Sequence, residues 1–197
     1  MICARRLRGA FVVAGLWLAA GGALAGPGYL VRVQLEPGVS AADFAGYRRA
    51  ALQTLEEQAS RYASWHHRPE RREAARRAAR SFPRSLATAL RSTLVFGEVT
   101  ELPVMGPEVL RVTGALRTHE PGSADARLVG GSGRGRAVFE VVLELADAAS
   151  GRPLGRIRIE REAGSSLVNA AVPRSVEHLM QAAAADTANA IARLVVP

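Results

Sequence analysis

The side chains best equipped for chemistry fall into three groups, and the densest is a run of arginines. Between Arg68 and Arg91 the chain places Arg71, Arg72, Arg76, Arg77, Arg80 and Arg84 against only Glu70 and Glu73. On a helix, Arg72, Arg76 and Arg80 stand one above another at i, i+4 and i+8 with Arg77 beside them. Such a row can hold the anionic groups of a lipid headgroup, a phosphorylated glycan or a nucleic acid. Arg72, Arg76, Arg77 and Arg80 are therefore the expected anion-binding set. Within Pro69 to Arg80 the apolar residues are all alanine, which argues against membrane insertion there, since that needs Leu, Phe or Trp on the apolar side. A plain solvated helix carries the same pattern, because charge runs are commonly solvated faces.

The second group is the glycine-rich stretch Gly130 to Gly135. Closely spaced glycines let backbone N–H groups approach an anion, but a nucleotide-binding loop follows a strand and opens a helix, or ends in Gly-Lys-Ser/Thr. This stretch instead leads into strand-like sequence at Ala137 and contains no lysine. It also fails the Gly-x-Ser-x-Gly pattern, because Arg134 follows Ser132 at the position where the last glycine is needed. A flexible connection between strands is the expectation.

The third group is the four histidines. His66 and His67 are adjacent and diverge on a helix, while His119 and His178 belong to unrelated segments, so no HxxxH or HExxH ligand spacing exists. No metal, cofactor or catalytic residue is expected. A hydrolase remains conceivable only if His119, Asp125 and Ser132 meet in the fold. Glu140 and Glu144 share one face of a strand but stand too far apart for a carboxylate dyad, and read as a solvated face.

The elements that must position these groups follow from hydrophobic period. Tyr29, Val31, Val33 and Leu35 alternate with Arg32 and Gln34, the pattern of a half-buried strand. Ser40 and Asp43 then resemble a capping box, and Phe44, Tyr47, Ala51, Leu55 and Tyr62 recur at helical spacing, which predicts an amphipathic helix. Pro69 opens a second helical run with no large side chain to bury, and Pro83 breaks or kinks it before a third stretch bearing Leu86, Leu90, Thr93 and Leu94. Four strands are expected at Glu98–Leu102, Val109–Arg117, Ala137–Asp147 and Leu154–Arg161. The last two form an antiparallel hairpin around Ala148–Gly151, with Leu143 opposite Ile157 and Glu144 opposite Arg156. A final helix after Pro173 carries Val176, Met180, Ala183, Thr187, Ala190, Ile191 and Leu194 on one stripe that should cover the sheet.

These elements give an α+β fold: a mostly antiparallel sheet of about five strands covered by helices, with an extra helical, Arg-rich insertion over 36–81 after the first strand. Residues 1–25 are expected to be a signal peptide. Arg5, Arg6 and Arg8 precede an apolar run from Ala10 to Ala20, and small Ala23 and Ala25 precede Gly26, which is the order of charge, apolar core and cleavage site. The apolar run is short of the ~20 residues of a spanning helix. Cleavage near Ala25-Gly26 removes Cys3, the single cysteine, so disulfides, thiol chemistry and a lipidated N-terminus are all excluded for the mature chain. Residues 26–197 suit one domain. The net charge of +8 is carried by arginine alone, since no lysine occurs; a GC-rich genome explains that choice without guanidinium chemistry.

Over Val109 to Leu154 the sequence resembles the bacterial envelope family catalogued as domain of unknown function 4410. The resemblance is carried by a strand ending in Gly114, Pro121-Gly122, Arg127, the glycine-rich turn Gly130–Gly135, and Asp147 through Gly151. It implies an α+β domain in the cell envelope and supplies no catalytic residue. Many members of that family look like lipoproteins, whereas this chain has no cysteine near its expected cleavage site. A soluble periplasmic or secreted, non-enzymatic accessory or binding protein is therefore expected. Its partner would be an envelope protein or an anionic envelope component, with no nucleic acid and no transmembrane anchor in the mature chain.

Overall fold

The computed structural model describes residues 29–58, 69–122, 137–163 and 175–196. Within them the chain forms an α+β fold with a mixed sheet of seven strands and two helices. The strands are β1 (Tyr29–Leu35), β2 (Arg49–Leu52), β3 (Glu56–Glu57), β4 (Glu98–Thr100), β5 (Val109–Glu120), β6 (Val138–Asp147) and β7 (Pro153–Glu162). The helices are α1 (Pro69–Thr93) and α2 (Val176–Val195). The sheet runs in the order β1-β7-β6-β5-β2-β4, with β3 also pairing to β5.

The β6–β7 hairpin has the predicted register, with Leu143 opposite Ile157 and Glu144 opposite Arg156. Phe139, Val141, Leu143, Leu145, Ile157 and Ile159 are buried on the face covered by both helices, and α2 adds Val176, Leu179, Met180, Ala183, Ala184, Ala188, Ile191 and Leu194 to that core. The predicted stripe on α2 is thus the one that packs, and Ser175 starts the helix by accepting the His178 N–H. β1 lies antiparallel on β7. Gly155 allows their approach, because a Cβ there would stand 2.7 Å from the Gln34 carbonyl oxygen.

Three expectations are corrected. The helix predicted over Phe44 to Tyr62 is absent from its described part: Ala41–Phe44 is a single 3-10 turn, and Arg49–Leu52 and Glu56–Glu57 are strands. β2 lies between β4 and β5 and is parallel to both. Its consecutive Ala50, Ala51 and Leu52 are all buried, the continuous apolar run of a parallel strand covered on both faces, and this pairing overrides the helical spacing and the helix propensity of alanine. The sheet therefore has seven strands, not about five, and is mixed, not mostly antiparallel.

The second correction concerns α1, which is one helix from Pro69 to Thr93 with Pro83 inside it. Its alanines do bury: Ala75, Ala78, Ala79 and Ala87 join Phe82, Leu86 and Leu90 in the core. Small residues let the axis sit close to its neighbours, so a helix without large side chains in its first half still has a packing face. Pro83 deprives the Ala79 carbonyl of its usual helical donor, and the Leu55 N–H takes that place at 3.3 Å.

The third concerns the strand that the resemblance ends at Gly114 and the apolar alternation at Arg117, which continues to Glu120. Gly114 has φ +148° and lies opposite Leu143, and a Cβ there would stand 2.2 Å from the Val142 carbonyl oxygen. The glycine serves close strand contact and ends nothing.

Candidate functional site

The buried side of α1 leaves Arg72, Arg76, Arg77, Arg80 and Arg84 on the exposed side, so the predicted row exists as a surface feature. It is not a row of independent cations. Arg80 pairs with Glu73 at 3.0 Å and Arg77 approaches the same carboxylate oxygen at 3.9 Å. One carboxylate thus lies between two guanidiniums of the four-residue set and relieves their repulsion. Arg84 pairs with Glu101 at 3.7 Å, linking the helix to the chain just after β4. All of these pairs are solvent-exposed, where an ion pair contributes about 0–1 kcal/mol, so their side chains can be redirected to an incoming anion at small cost.

His119 is buried near the far end of β5, and its Nδ1 has no hydrogen-bond partner among the described residues. Its ring meets Phe139 edge-on at 6.5 Å between centroids, and Phe139 stacks on Phe82 of α1 at 5.6 Å. Burial holds its pKa below the ordinary value, with the Arg77 cation acting in the same direction and the Glu177 and Glu57 carboxylates opposing. Asp125 and Ser132, its proposed hydrolase partners, lie outside the described residues, as do Arg127, Gly130–Gly135, His66 and His67. His178 is exposed in the first turn of α2. No group of three His, Cys, Asp or Glu side chains able to hold a metal occurs among the described residues.

Glu140 and Glu144 do not stand as bare carboxylates on the outer sheet face. Arg158 pairs with Glu140 at 2.9 Å and Arg156 with Glu144 at 3.5 Å, so the face carries a cross-strand ladder of opposite charges.

Two polar clusters lacked a sequence reading as sites. At the tip of the β6–β7 hairpin, the Asp147 carboxylate accepts from the Ser150 N–H at 2.7 Å, from the Ser150 hydroxyl at 2.6 Å and from the Tyr47 hydroxyl at 3.2 Å. The Ser150 contacts are the main reason the Asp147 pKa is lowered. Burial, then the Asp147 charge, pushes Tyr47 up to about 12, so it stays a neutral donor. Nearby, Arg152 reaches Asp43 at 3.1 Å, and Asp43 also accepts from the Ser40 N–H at 2.9 Å. The Asp-x-x-Ser turn is a local signal, but the contacts from Tyr47 and Asp43 span about a hundred positions and have none. At the other end of β7, Arg161 donates through Nε to Asp186 at 2.7 Å and lies 4.0 Å from the centre of the Tyr29 ring. Both clusters tie separate elements together: the 3-10 turn to the hairpin, and α2 to β7 and β1.

No helix among the described residues is long and apolar enough to cross a membrane. No family model matches the chain, so the likeness to domain of unknown function 4410 stays a resemblance, and no curated protein matches it. Several solved structures are similar at low identity. A PelC dodecamer from Paraburkholderia phytofirmans aligns with a TM-score of 0.45 and 14% identity over 80% of this chain and 94% of that one. Protein XCC0632 from Xanthomonas campestris, of the DUF330 family, aligns with a TM-score of 0.47 and 14% identity over 84% and 93%. A putative lipoprotein from Caulobacter crescentus CB15 aligns with a TM-score of 0.37 and 16% identity over 79% and 91%.

Proposed function

We propose that the chain is an exported protein of the bacterial cell envelope that acts by contact with another envelope component, as an accessory or binding protein and not as a catalyst. The observation that carries this reading is the N-terminal order of Arg5, Arg6 and Arg8, the apolar run Ala10 to Ala20, and Ala23 and Ala25 before Gly26. The resemblance over Val109 to Leu154 supports the same compartment. Periplasmic release and cleavage at Ala25-Gly26 are tested together by fractionating cells and sequencing the N-terminus of the purified protein. A chain starting near Gly26, released without detergent, is the expected result. An envelope-bound chain that keeps Met1 would overturn the export claim. Cross-linking of the tagged protein in intact cells should then capture an envelope component.

A narrower reading is favoured by the exposed side of α1. Arg72, Arg76, Arg77 and Arg80 form a basic surface whose exposed ion pairs are weak enough to exchange for an anionic partner. The alanines and the large apolar residues of α1 are turned to the core, so this surface suits a polyanion or headgroup layer that it lies against without inserting.

A further inference from the structure

We infer that the loop between β4 and β5 is an apolar tip that enters a bilayer containing anionic phospholipid while the arginines of α1 lie on its headgroups. The inference rests on the anion-binding reading of α1 given above. The segment Leu102–Pro107 carries no charge, and within it Leu102 and Met105 are 69% and 66% exposed. Single apolar side chains are common on protein surfaces, so exposure alone decides nothing. Here the loop is held in place and still turns them outward.

The Leu102 N–H donates to the Thr100 hydroxyl at 3.1 Å, and the Arg49 guanidinium donates to the Pro107 carbonyl at 3.2 Å. Between them Val104 packs inward on Ala51, Val109 and Ala148, which leaves Leu102 and Met105 in solvent on either side of it. A loop already ordered by folding loses little conformational freedom on binding. A third side chain lies alongside. The Gly97 N–H donates to the Arg48 carbonyl and the Arg48 N–H to the Glu108 carbonyl, both at 2.9 Å, so the segment after α1 runs beside the end of the loop. There Leu94 is 87% exposed with φ +57°, in the left-handed region where a helix end favours glycine.

The charges around this tip select the occupant. Arg84 continues the row of Arg72, Arg76 and Arg80 by one more step of four residues and reaches Glu101 at 3.7 Å, so the row meets the start of the loop and its acid is neutralised. Arg49 stands at the other end. Apolar side chains flanked by guanidiniums match the boundary of an anionic bilayer, where acyl chains take the first and phosphates the second. A soluble polyanion has no apolar phase for Leu94, Leu102 or Met105. A protein interface is commonly anchored by aromatic side chains, and none of these three is aromatic. Three apolar side chains give a reversible attachment, in keeping with release without detergent.

The exported chain is tested against vesicles of phosphatidylcholine, vesicles of phosphatidylcholine with phosphatidylglycerol, and soluble inorganic polyphosphate. Changing Leu94→Gly, Leu102→Ser and Met105→Ser together should lower binding to the anionic vesicles about tenfold, with circular dichroism and polyphosphate binding as in the parent. A label reports insertion without that variant. Met105→Cys, with Cys3→Ser and a polarity-sensitive fluorophore on the thiol, should shift to the blue on anionic vesicles and be quenched by brominated acyl chains. Binding to polyphosphate but not to vesicles, undiminished vesicle binding by the triple variant, equal binding to neutral vesicles, or a label that stays in water would each overturn the inference and leave the α1 reading standing. No binding to either anionic probe would overturn both.

Discussion

The backbone N–H of Leu55 donates to the carbonyl of Ala79 at 3.3 Å, the acceptor that Pro83 leaves open four residues along α1. This single bond joins the bend between β2 and β3 to the middle of the helix. Leu55 and Pro83 are both buried, so neither the N–H nor the carbonyl has ready access to water. A proline in mid-helix normally costs about 3 kcal/mol relative to alanine, yet here the vacated carbonyl has a tertiary partner.

Pro83→Ala should therefore fail to stabilise the protein as helix propensity alone predicts. The new N–H of residue 83 competes for the Ala79 carbonyl, and leaving Leu55 without an acceptor costs about 1–3 kcal/mol. Urea unfolding and amide exchange at Leu55 provide the measurement. A variant more stable than the parent by the full propensity difference, with Leu55 still protected, would remove this role for the proline.

Leu143→Asp should unfold the domain, because Leu143 is fully buried and an unpaired carboxylate there costs several kcal/mol. Its neighbour Glu144 lies on the exposed face beside Arg156 at 3.5 Å, and Glu144→Ser should change stability by less than about 1 kcal/mol. Thermal melting of the two variants distinguishes the faces, and equal shifts would contradict the assignment.

His119 gives the stability a pH dependence whose sign follows from burial. Its folded pKa lies below the ordinary 6.5, so the folded state holds the neutral ring. Above that ordinary value both states are neutral and nothing is gained. As the pH falls below it, the unfolded chain takes up the proton first, and stability declines until the folded pKa is passed. Asp43 and Asp147, whose pKa values are lowered, contribute stability that is lost only at more acid pH, as their folded forms protonate. Denaturation between pH 7 and 5 should show a slope that His119→Leu abolishes. A slope unchanged in that variant would assign it to other groups.

If the α1 surface binds anions, the chain should co-sediment with anionic vesicles at low salt and much less at physiological salt, where exposed charges are screened over roughly 10 Å. Changing Arg72, Arg76, Arg77 and Arg80 together to Glu should abolish binding. Because Glu73 lies between Arg77 and Arg80, Glu73→Gln should strengthen it. Identical sedimentation of all three proteins would reduce the helix to a solvated surface.

The sequence by itself determined the elements whose apolar residues repeat at one clear period. The β6–β7 hairpin was legible to the residue pair, because alternation specifies the buried face and a short turn leaves one register that keeps Leu143 with Ile157. The α2 stripe and the exposed arginines of α1 were legible for the same reason: a helix with one apolar side has only one way to face a sheet. The tertiary structure alone decided the form of the described residues that follow β1, as far as Gln58. Arg49–Leu52 is strand because β4 and β5 offer it ladder bonds on both edges and cover on both faces, none of which its own spacing encodes. Likewise, neither the acceptor for Leu55, the small-residue packing of α1 nor the reach of Tyr47 to Asp147 exists until distant segments meet. Local period sets which face a segment buries; what it is buried against depends on non-local pairing, and where the two disagree the larger burial and the satisfied backbone prevail.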